Sequence, residues 1–200
     1  MHFDSLVTAL DLIATFAFAI VGARIAASKG LDYGGIALIA AVASISGGTL
    51  RNLFMGERPP WILDSWLFAS IGLAVLITII AKETKPVGRF LLALDTFGLA
   101  VATVSSANFA ISQNANFIGI VALGLVGGVT GGLLRDVLCQ VEPVLLHRET
   151  IGTSCFAGAI VYDFLNKFGI SEPITVISAG LIIVAVREIS IVKDWHLPRI

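Results

Sequence analysis

Charged residues are scarce in this sequence. They make up 14% of its 200 residues, whereas an ordinary soluble domain has about 25%. Hydrophobic residues make up 56%, the mean hydropathy is +0.93, and no polar stretch is long enough to fold by itself. This composition excludes a water-soluble protein and predicts one membrane domain over residues 1–200.

Cysteine, histidine and net charge are also low. The two cysteines and three histidines never stand at the spacing of a metal-ligand set, so we expect no bound metal and no cofactor. A formal net charge of -1 gives no basic surface for nucleic acid. The sequence shows no Ser-His-Asp or Cys-His set and no Gly-x-x-x-x-Gly-Lys loop. We therefore expect neither a nucleic-acid-binding protein nor an enzyme.

Long apolar runs are what the sequence has in place of charge. A bilayer core about 30 Å thick needs about 20 helical residues, and seven stretches have or approach that length. They are predicted at residues 5–23, 33–50, 66–81, 90–107, 117–134, 150–165 and 174–190. Because backbone groups in lipid must be hydrogen-bonded within each segment, the expected fold is an all-α bundle of seven transmembrane helices.

Lysine and arginine are concentrated on one side of this predicted bundle. The amino terminus and the second, fourth and sixth links hold Arg51, Arg58 and Lys167, and the other side holds the remaining ten, including Arg187. Basic residues in short loops stay in the cytoplasm. The amino terminus is therefore predicted outside and the carboxy terminus in the cytoplasm.

A motif in the second span recurs in the fifth. Ser-Gly-Gly-Thr-Leu-Arg-Asn at 46–52 returns as Thr-Gly-Gly-Leu-Leu-Arg-Asp at 130–136, an offset of 84 along the chain. The same offset aligns Asp11 with Asp95 and Pro59 with Pro143. One offset that fits points in three spans indicates a duplication.

The duplicated unit has an odd number of spans. Repeat one is predicted at about 5–82, repeat two at about 89–166 and a seventh helix at about 173–193. Since each repeat has three spans, the second copy enters the membrane from the opposite side. Inverted repeats are a recurring architecture of proteins that carry solutes or ions. The alternative is that duplication only enlarges the bundle.

Spans two and five each carry two adjacent glycines before an arginine. Adjacent glycines weaken a helix by about 1 kcal/mol each and permit a bend or break. A break frees carbonyl oxygens, which together with hydroxyl groups can replace part of a cation's water shell. The predicted ion pathway is Ser44, Ser46, Gly47, Gly48, Thr49, Thr130, Gly131 and Gly132. Close helix packing is the other interpretation, and it is favoured at Gly124 and Gly127.

Asp11 and Asp95 stand well inside the first and fourth spans, where charges usually face a bundle interior or water. In the predicted orientation Asp11 and Arg51 share the outer side, and Asp95 and Arg135, followed by Asp136, repeat the arrangement at the inner side. The sequence thus allows an Asp–Arg pair at each mouth, as a charged gate or selectivity element. Two ion pairs that only orient helices are the alternative.

Other residues are assigned to the membrane borders. Trp61, Trp66 and Trp195 are expected to anchor helices at the interfaces, as indole rings commonly do. Asp163 is expected to be solvated.

The glycine motifs and the three-plus-three-plus-one spans resemble the prokaryotic TRIC (trimeric intracellular cation) channel family. The resemblance covers nearly the whole chain, including Pro59 and Trp61 after the first motif. It implies a homotrimer in membrane lipid, with an hourglass pore for K⁺ and Na⁺ in each protomer and with spans two and five kinked at the glycines. The short chain resembles the bacterial and archaeal members, which implies the plasma membrane of a prokaryote.

The expected function is a monovalent cation channel lined by spans one, two, four and five. A secondary transporter of a small solute is the alternative, because inverted repeats serve both.

Overall fold

The computed structural model describes residues 3–63, 65–81, 88–141 and 150–193. This part of the chain forms α-helices and no strands. The helices are α1 (Phe3–Ser28), α2 (Tyr33–Phe54), α3 (Pro60–Leu63), α4 (Trp66–Ala81), α5 (Arg89–Ser112), α6 (Phe117–Leu138), α7 (Thr150–Lys167) and α8 (Glu172–Lys193). Each predicted span falls on one of them, and most helices extend beyond the predicted ends. The short helix α3 was not predicted.

Several of these helices are long and apolar enough to cross a membrane. Among the described residues they are α1 from Thr8 onward, α2, α5, α6 and α8, while α4 is a shorter apolar helix. Large apolar side chains such as Leu38, Leu73 and Leu181 are exposed on their outer faces, as expected for surfaces that meet lipid. The prediction of an all-α membrane protein is confirmed.

The starts of α2 and α6 are built in the same way. Asp32 accepts a hydrogen bond from the Gly35 backbone N–H at 2.7 Å, and Asn116, its counterpart at the offset of 84, accepts one from Gly119 at 2.8 Å. Both side chains satisfy a backbone donor that the first helical turn leaves unpaired.

The turns before and after these two helices also recur at the offset of 84. Gly30 and Asn114 both have positive φ before the helix, at 76° and 56°. Gly56 and Gln140 both have positive φ after it, at 73° and 50°. Only glycine adopts this conformation without cost, so the backbone has kept the same path where the second copy no longer has glycine.

The helices pack in two groups of three, α1, α2 and α4 in the first group and α5, α6 and α7 in the second. Helix α1 packs against α2, α4 and α5, and α6 packs against α2, α5 and α7. The two groups meet where α1 contacts α5 and α2 contacts α6. Helix α8 packs on α7 and α5, on one group only.

Helices α2 and α6 cross at their glycines. A Cβ added at Gly47 would overlap the Gly127 carbonyl oxygen, and a Cβ added at Gly131 would overlap the Ala43 carbonyl oxygen. Gly127 and Gly131 are the counterparts of Ala43 and Gly47 at the repeat offset, so the same two positions meet reciprocally. Close approach of two backbones is the packing role of small residues in membrane helices.

Both helices continue through their glycine pairs without interruption. The chain is therefore not broken at these glycines, and their missing side chains let the two helices touch. A bend at the glycines stays a prediction. Pro143, Trp195 and the carboxy terminus lie outside the described residues.

Candidate functional site

The first charge cluster joins α1, α2 and α5. Arg51 donates to both oxygens of Asp11, from Nη1 to Oδ1 at 3.1 Å and from Nη2 to Oδ2 at 2.9 Å. Ser105 donates to Asp11 Oδ1 at 2.5 Å and accepts from Arg51 Nη1 at 3.1 Å. Arg51 Nε donates to Asn52 Oδ1 at 2.9 Å, and its guanidinium lies 4.6 Å from the centre of the Phe109 ring. The fork geometry and the ring contact stabilise a charge that lipid would exclude.

The second charge cluster joins α5, α6 and α8. Arg135 donates from Nη1 to Asp95 Oδ1 at 2.6 Å and from Nε to Asp136 Oδ1 at 2.8 Å. Arg187 donates from Nη2 to the other Asp95 oxygen, Oδ2, at 2.8 Å. Asp95 is therefore shared between two arginines from different helices, whereas Asp11 binds one arginine in a fork.

In both clusters the acid is the more exposed partner. The Asp11 side chain is 15% exposed against 2% for Arg51, and Asp95 is 12% exposed against 5% for Arg135 and 1% for Arg187. Asp136, the second acid of the second cluster, is 4% exposed and therefore no more accessible than Arg135. The acid that pairs with an arginine of another helix is thus the more accessible partner in each cluster.

The first cavity lies beside the first charge cluster. It is open, measures about 480 Å³, and is lined by α1 to α6. Its polar wall consists of Asp11, Thr15, Ser44, Arg51 and Ser106, and Pro60 and Trp61 of α3 cover one side.

The second cavity lies beside the second charge cluster. It measures about 280 Å³ and is lined by Asp95, Arg135, Asp136, Gly132 and a set of apolar residues. Leu99 stands here as the repeat-two counterpart of Thr15 in the first cavity. The two cavities are therefore alike in their ion pairs and different in the polarity of their walls.

Phe18 lines both cavities. Its side chain is 3% exposed and packs against Gly98 and Gly131. Its counterpart in repeat two is Ala102, which lines only the first cavity. A single aromatic residue of α1 is thus shared by the walls of the two cavities.

Comparison with known proteins adds a family to this geometry. A protein-family model described as "Glycine transporter" matches the chain twice, over residues 8–83 and 92–167. The chain belongs to the Glycine transporter family. The starts of the two matches, at 8 and 92, have the same offset as the glycine motifs.

Relatives of this Glycine transporter family member are membrane proteins and channels. The chain is 29% identical over 192 residues to the UPF0126 inner membrane protein YadS of Escherichia coli (strain K12), an alignment that covers 94% of this chain and 92% of the relative. The TRIC trimeric intracellular cation channel orthologue from Rhodobacter sphaeroides has a similar structure, with a TM-score of 0.87, 29% identity, and coverage of 96% of this chain and 100% of that chain. A structure described as the structural basis for conductance through TRIC cation channels gives a TM-score of 0.84 and 32% identity, with 96% of each chain covered. The resemblance to the prokaryotic TRIC family is confirmed.

Most of the predicted pathway residues of this Glycine transporter family member line a cavity. Gly48 lines the first cavity near Arg51, and Gly132 lines the second near Arg135. Ser44, Gly47 and Gly131 also line the first cavity, although the latter two chiefly hold the helix crossing.

Three predicted pathway residues line neither cavity. Thr49 donates to the Ile45 carbonyl oxygen at 2.7 Å and accepts from Trp61 Nε1 at 3.0 Å. Thr130 donates to the Val126 carbonyl oxygen at 2.6 Å. Ser46 Oγ is buried and has no hydrogen-bond partner among the described residues.

Sequence reasoning missed Ser105, Phe18 and the position of Arg187. The sequence predicts Arg187 only as a basic residue on the cytoplasmic side, and that side stays a prediction. The structure adds that Arg187 is buried against Asp95, because α8 packs on α5. A signal existed in the sequence, since Arg187 stands inside the apolar seventh span rather than in a link. Ser105 and Phe18 carried no signal, because hydroxyl and aromatic residues are common in membrane helices.

Two border assignments also differ from the structure. Trp61 is half-buried and ties α3 to α2 through Thr49 instead of only anchoring an interface. Asp163 is 3% exposed, and its Oδ2 accepts from Lys167 Nζ at 2.6 Å, so it is a buried acid with a partner one helical turn away.

Proposed function

We propose that this protein is a monovalent cation channel with one pore in each protomer, lined by α1, α2, α5 and α6. The observation that carries the proposal is the pair of cavities that share Phe18 in their walls, each bordered by an Asp–Arg ion pair. The solved TRIC structures with which the chain shares its fold are cation channels, and this similarity supports the proposal.

The chemistry of the walls favours cations over anions. In the Asp11–Arg51 and Asp95–Arg135 pairs the carboxylate is the more exposed partner, so we expect a cation in either cavity to be attracted more strongly than an anion. The hydroxyl groups of Thr15, Ser44 and Ser106 border the same cavity as Asp11. Hydroxyl oxygens are suitable ligands for a partly dehydrated K⁺ or Na⁺.

Phe18 holds this pore shut in the present conformation. Its ring lies between the cavities, where an apolar constriction stops ions by excluding their water. Conduction then requires the Phe18 ring to move away from its position between Gly98 and Gly131.

The proposed assembly is a homotrimer in the plasma membrane of a prokaryote, with two inverted three-helix repeats, the amino terminus outside and the carboxy terminus in the cytoplasm. The reciprocal contacts of α2 and α6 and the double family match support the inverted repeats. The word "trimeric" in the description of the Rhodobacter structure supports the oligomer, and the inner-membrane relative supports the location.

Transport of glycine or a similar small zwitterion is the second candidate function. The description of the matching family favours it. Asp11 and Arg51 on the wall of the first cavity offer partners for an ammonium and a carboxylate group. A transporter of this kind would open the first and the second cavity to their sides of the membrane alternately, and it would never form a continuous pore past Phe18.

Purified full-length protein in a planar bilayer with asymmetric KCl separates the two candidates. We expect unitary currents that reverse near the K⁺ potential, because a pore conducts passively. Absence of current together with saturable uptake of radiolabelled glycine into proteoliposomes would reject the channel and support the transporter.

Replacement of Phe18 tests the closed pore directly. We expect Phe18→Ala to raise the open probability or basal leak several-fold, since the two cavities then join. The matched control is Ala100→Gly, a buried change on α5 at a residue that lines neither cavity, and it should leave the leak unchanged. An unaltered leak in Phe18→Ala would remove Phe18 from the pathway.

A further inference from the structure

Two buried residues on the wall of the first cavity carry hydroxyl groups that the protein leaves unpaired. They are Thr15 of α1 and Ser106 of α5, which are 4% and 2% exposed and which both line this cavity. Neither hydroxyl group has a hydrogen-bond partner among the described residues. Because buried polar groups in native proteins are nearly always satisfied by protein, water or a ligand, these two groups indicate that something binds in the first cavity.

The unpaired hydroxyl groups lie near one aspartate. Thr15 follows Asp11 by one turn of α1, so the two side chains share a face of that helix. Ser106 follows Ser105, whose hydroxyl donates to Asp11 Oδ1. Ser44 of α2 lines the same cavity and spends its hydroxyl hydrogen within its own helix, so its oxygen can still accept. Three helices thus bring oxygen atoms to the wall beside Asp11.

The chemistry of these groups selects the ligand. Hydroxyl and carboxylate oxygens are the ligands that replace part of the water shell of an alkali cation. The Asp11 side chain is 15% exposed and that of its partner Arg51 is 2% exposed, so the more accessible charge beside the hydroxyl groups is negative. An alkali cation therefore fits this wall better than an anion does.

The second cavity does not repeat the hydroxyl groups. The counterparts at the offset of 84 all lack one: Leu99 for Thr15, Gly128 for Ser44 and Gly22 for Ser106. Leu99 is part of the wall of the second cavity. The duplication therefore left both cavities with an Asp–Arg ion pair, but only the first has hydroxyl ligands at these positions.

We propose that each protomer binds a partly dehydrated alkali cation in the first cavity, through the oxygens of Thr15, Ser44 and Ser106 beside Asp11, and that the second cavity admits only hydrated ions. The inference rests on the proposed cation channel for the class of ligand. It deepens that function by assigning the binding site to one cavity and not to the other.

The thermal unfolding midpoint of the full-length protein in detergent tests the site without any measurement of current. Potassium chloride replaces N-methyl-D-glucamine chloride at constant ionic strength, so that salt screening stays the same. We expect K⁺ to raise the midpoint by about 2 °C, because a ligand that binds only the folded state stabilises it. Thr15→Val and Ser106→Ala should each lose this shift, and Thr15→Ser, which keeps the hydroxyl group, should retain it.

Thr103→Val is the matched control. Thr103 of α5 is 0% exposed and its Oγ1 also has no hydrogen-bond partner among the described residues, but it lines neither cavity. This variant should keep the full K⁺ shift. Loss of the shift in Thr103→Val, or its persistence in Thr15→Val or Ser106→Ala, would overturn the proposal and leave the hydroxyl groups as partners of water only.

Crystals of the unaltered protein soaked in thallium(I) nitrate locate the site and need no variant that folds. Tl⁺ is close to K⁺ in size and scatters anomalously. We expect one anomalous peak per protomer in the first cavity, near Thr15 and Ser106, and none beside Leu99. Peaks of equal strength in both cavities, or no peak, would overturn the proposal.

The failure of the site and the failure of the channel are distinguishable. Currents in a planar bilayer without a K⁺ shift or a Tl⁺ peak would reject the site and leave the channel in place. A K⁺ shift and a Tl⁺ peak in a protein that carries no current would support the site and reject the channel.

Discussion

The two charge clusters occupy equivalent positions in the two repeats, but they neutralise their acid differently. Asp11 is bound in a fork by one arginine and receives a hydrogen bond from Ser105. Asp95 divides its oxygens between Arg135 and Arg187. The duplication thus supplied the aspartate and the first arginine of each cluster. The other contacts of each aspartate, from Ser105 to Asp11 and from Arg187 to Asp95, come from neighbouring helices.

These additional contacts differ between the clusters because the residues and helices that make them are not the same in the two repeats. The repeat-one counterpart of Ser105 is Val21, which has no hydroxyl group, so the second acid cannot receive the same hydrogen bond. Helix α8 has no counterpart beside the first cluster among the described helices. The comparison shows that a repeated ion pair becomes two unlike sites through its neighbours.

The largest difference is expected when the acids are removed. Asp95→Asn takes from the buried Arg187 the carboxylate that it contacts, while Arg135 keeps Asp136, and we expect it to lower the free energy of unfolding by about 4 kcal/mol. Asp11→Asn leaves one arginine that keeps Asn52 and the Phe109 ring, and we expect about 2 kcal/mol. Chemical unfolding in detergent measures both, and equal losses would contradict the distinction between the clusters.

The helix crossing gives the next largest effect. Gly131→Ala places a methyl group against the Ala43 carbonyl oxygen, and we expect a loss of about 3 kcal/mol because neither backbone can retreat. The matched control is Gly132→Ala, whose methyl group meets only the end of Arg135 at 3.6 Å. That variant should change stability by about 1 kcal/mol or less. A greater loss of stability in Gly132→Ala than in Gly131→Ala would contradict the close contact of α2 and α6 at Gly131.

Removal of the Ser105 hydroxyl group tests the feature found only in the first cluster. Ser105→Ala should lower the free energy of unfolding by about 1.5 kcal/mol, since a hydrogen bond to a charged acceptor is lost. Ser112→Ala on the same helix removes a hydroxyl that bonds only to the Phe109 carbonyl oxygen and should cost less. Equal effects would show that the bond to Asp11 contributes nothing beyond an ordinary helix contact.

The smallest effect concerns ion preference. Asp11→Asn should reduce the preference for K⁺ over Cl⁻ by about threefold, because a partly exposed charge in a wet cavity is screened. The reversal potential in a KCl gradient would then move toward zero. Glu188→Gln, an exposed acid on α8, is the control and should leave the reversal potential in place. An unchanged potential in Asp11→Asn would remove this residue from selectivity.

Much of the fold was predictable from local features of the sequence. Hydropathy and length located the long apolar helices, because lipid requires helices of fixed length. The offset of 84 predicted that Asp95 and Arg135 would repeat any pairing of Asp11 and Arg51, and the structure contains both ion pairs. Their roles as gates stay predictions.

The contacts between helices were not predictable in the same way. The glycine pairs indicated a bend or break, close packing, or both, and only the structure shows the close contact of α2 and α6 at Gly47 and Gly131. Phe18 gave no signal, since its position between two cavities depends on the rotation of α1 against its neighbouring helices. The contact of Arg187 with Asp95 was not predicted, because the topology rule already accounts for a basic residue near the end of a span.

The sequence by itself determined that this chain is a helical membrane protein with a duplicated core, because hydropathy, helix length and a constant offset are properties of the chain alone. The tertiary structure decided which side chains bind each aspartate, where the cavities lie and which residues form their walls. Those features depend on the rotation and depth of each helix relative to its neighbours, and a one-dimensional pattern of residues does not specify either.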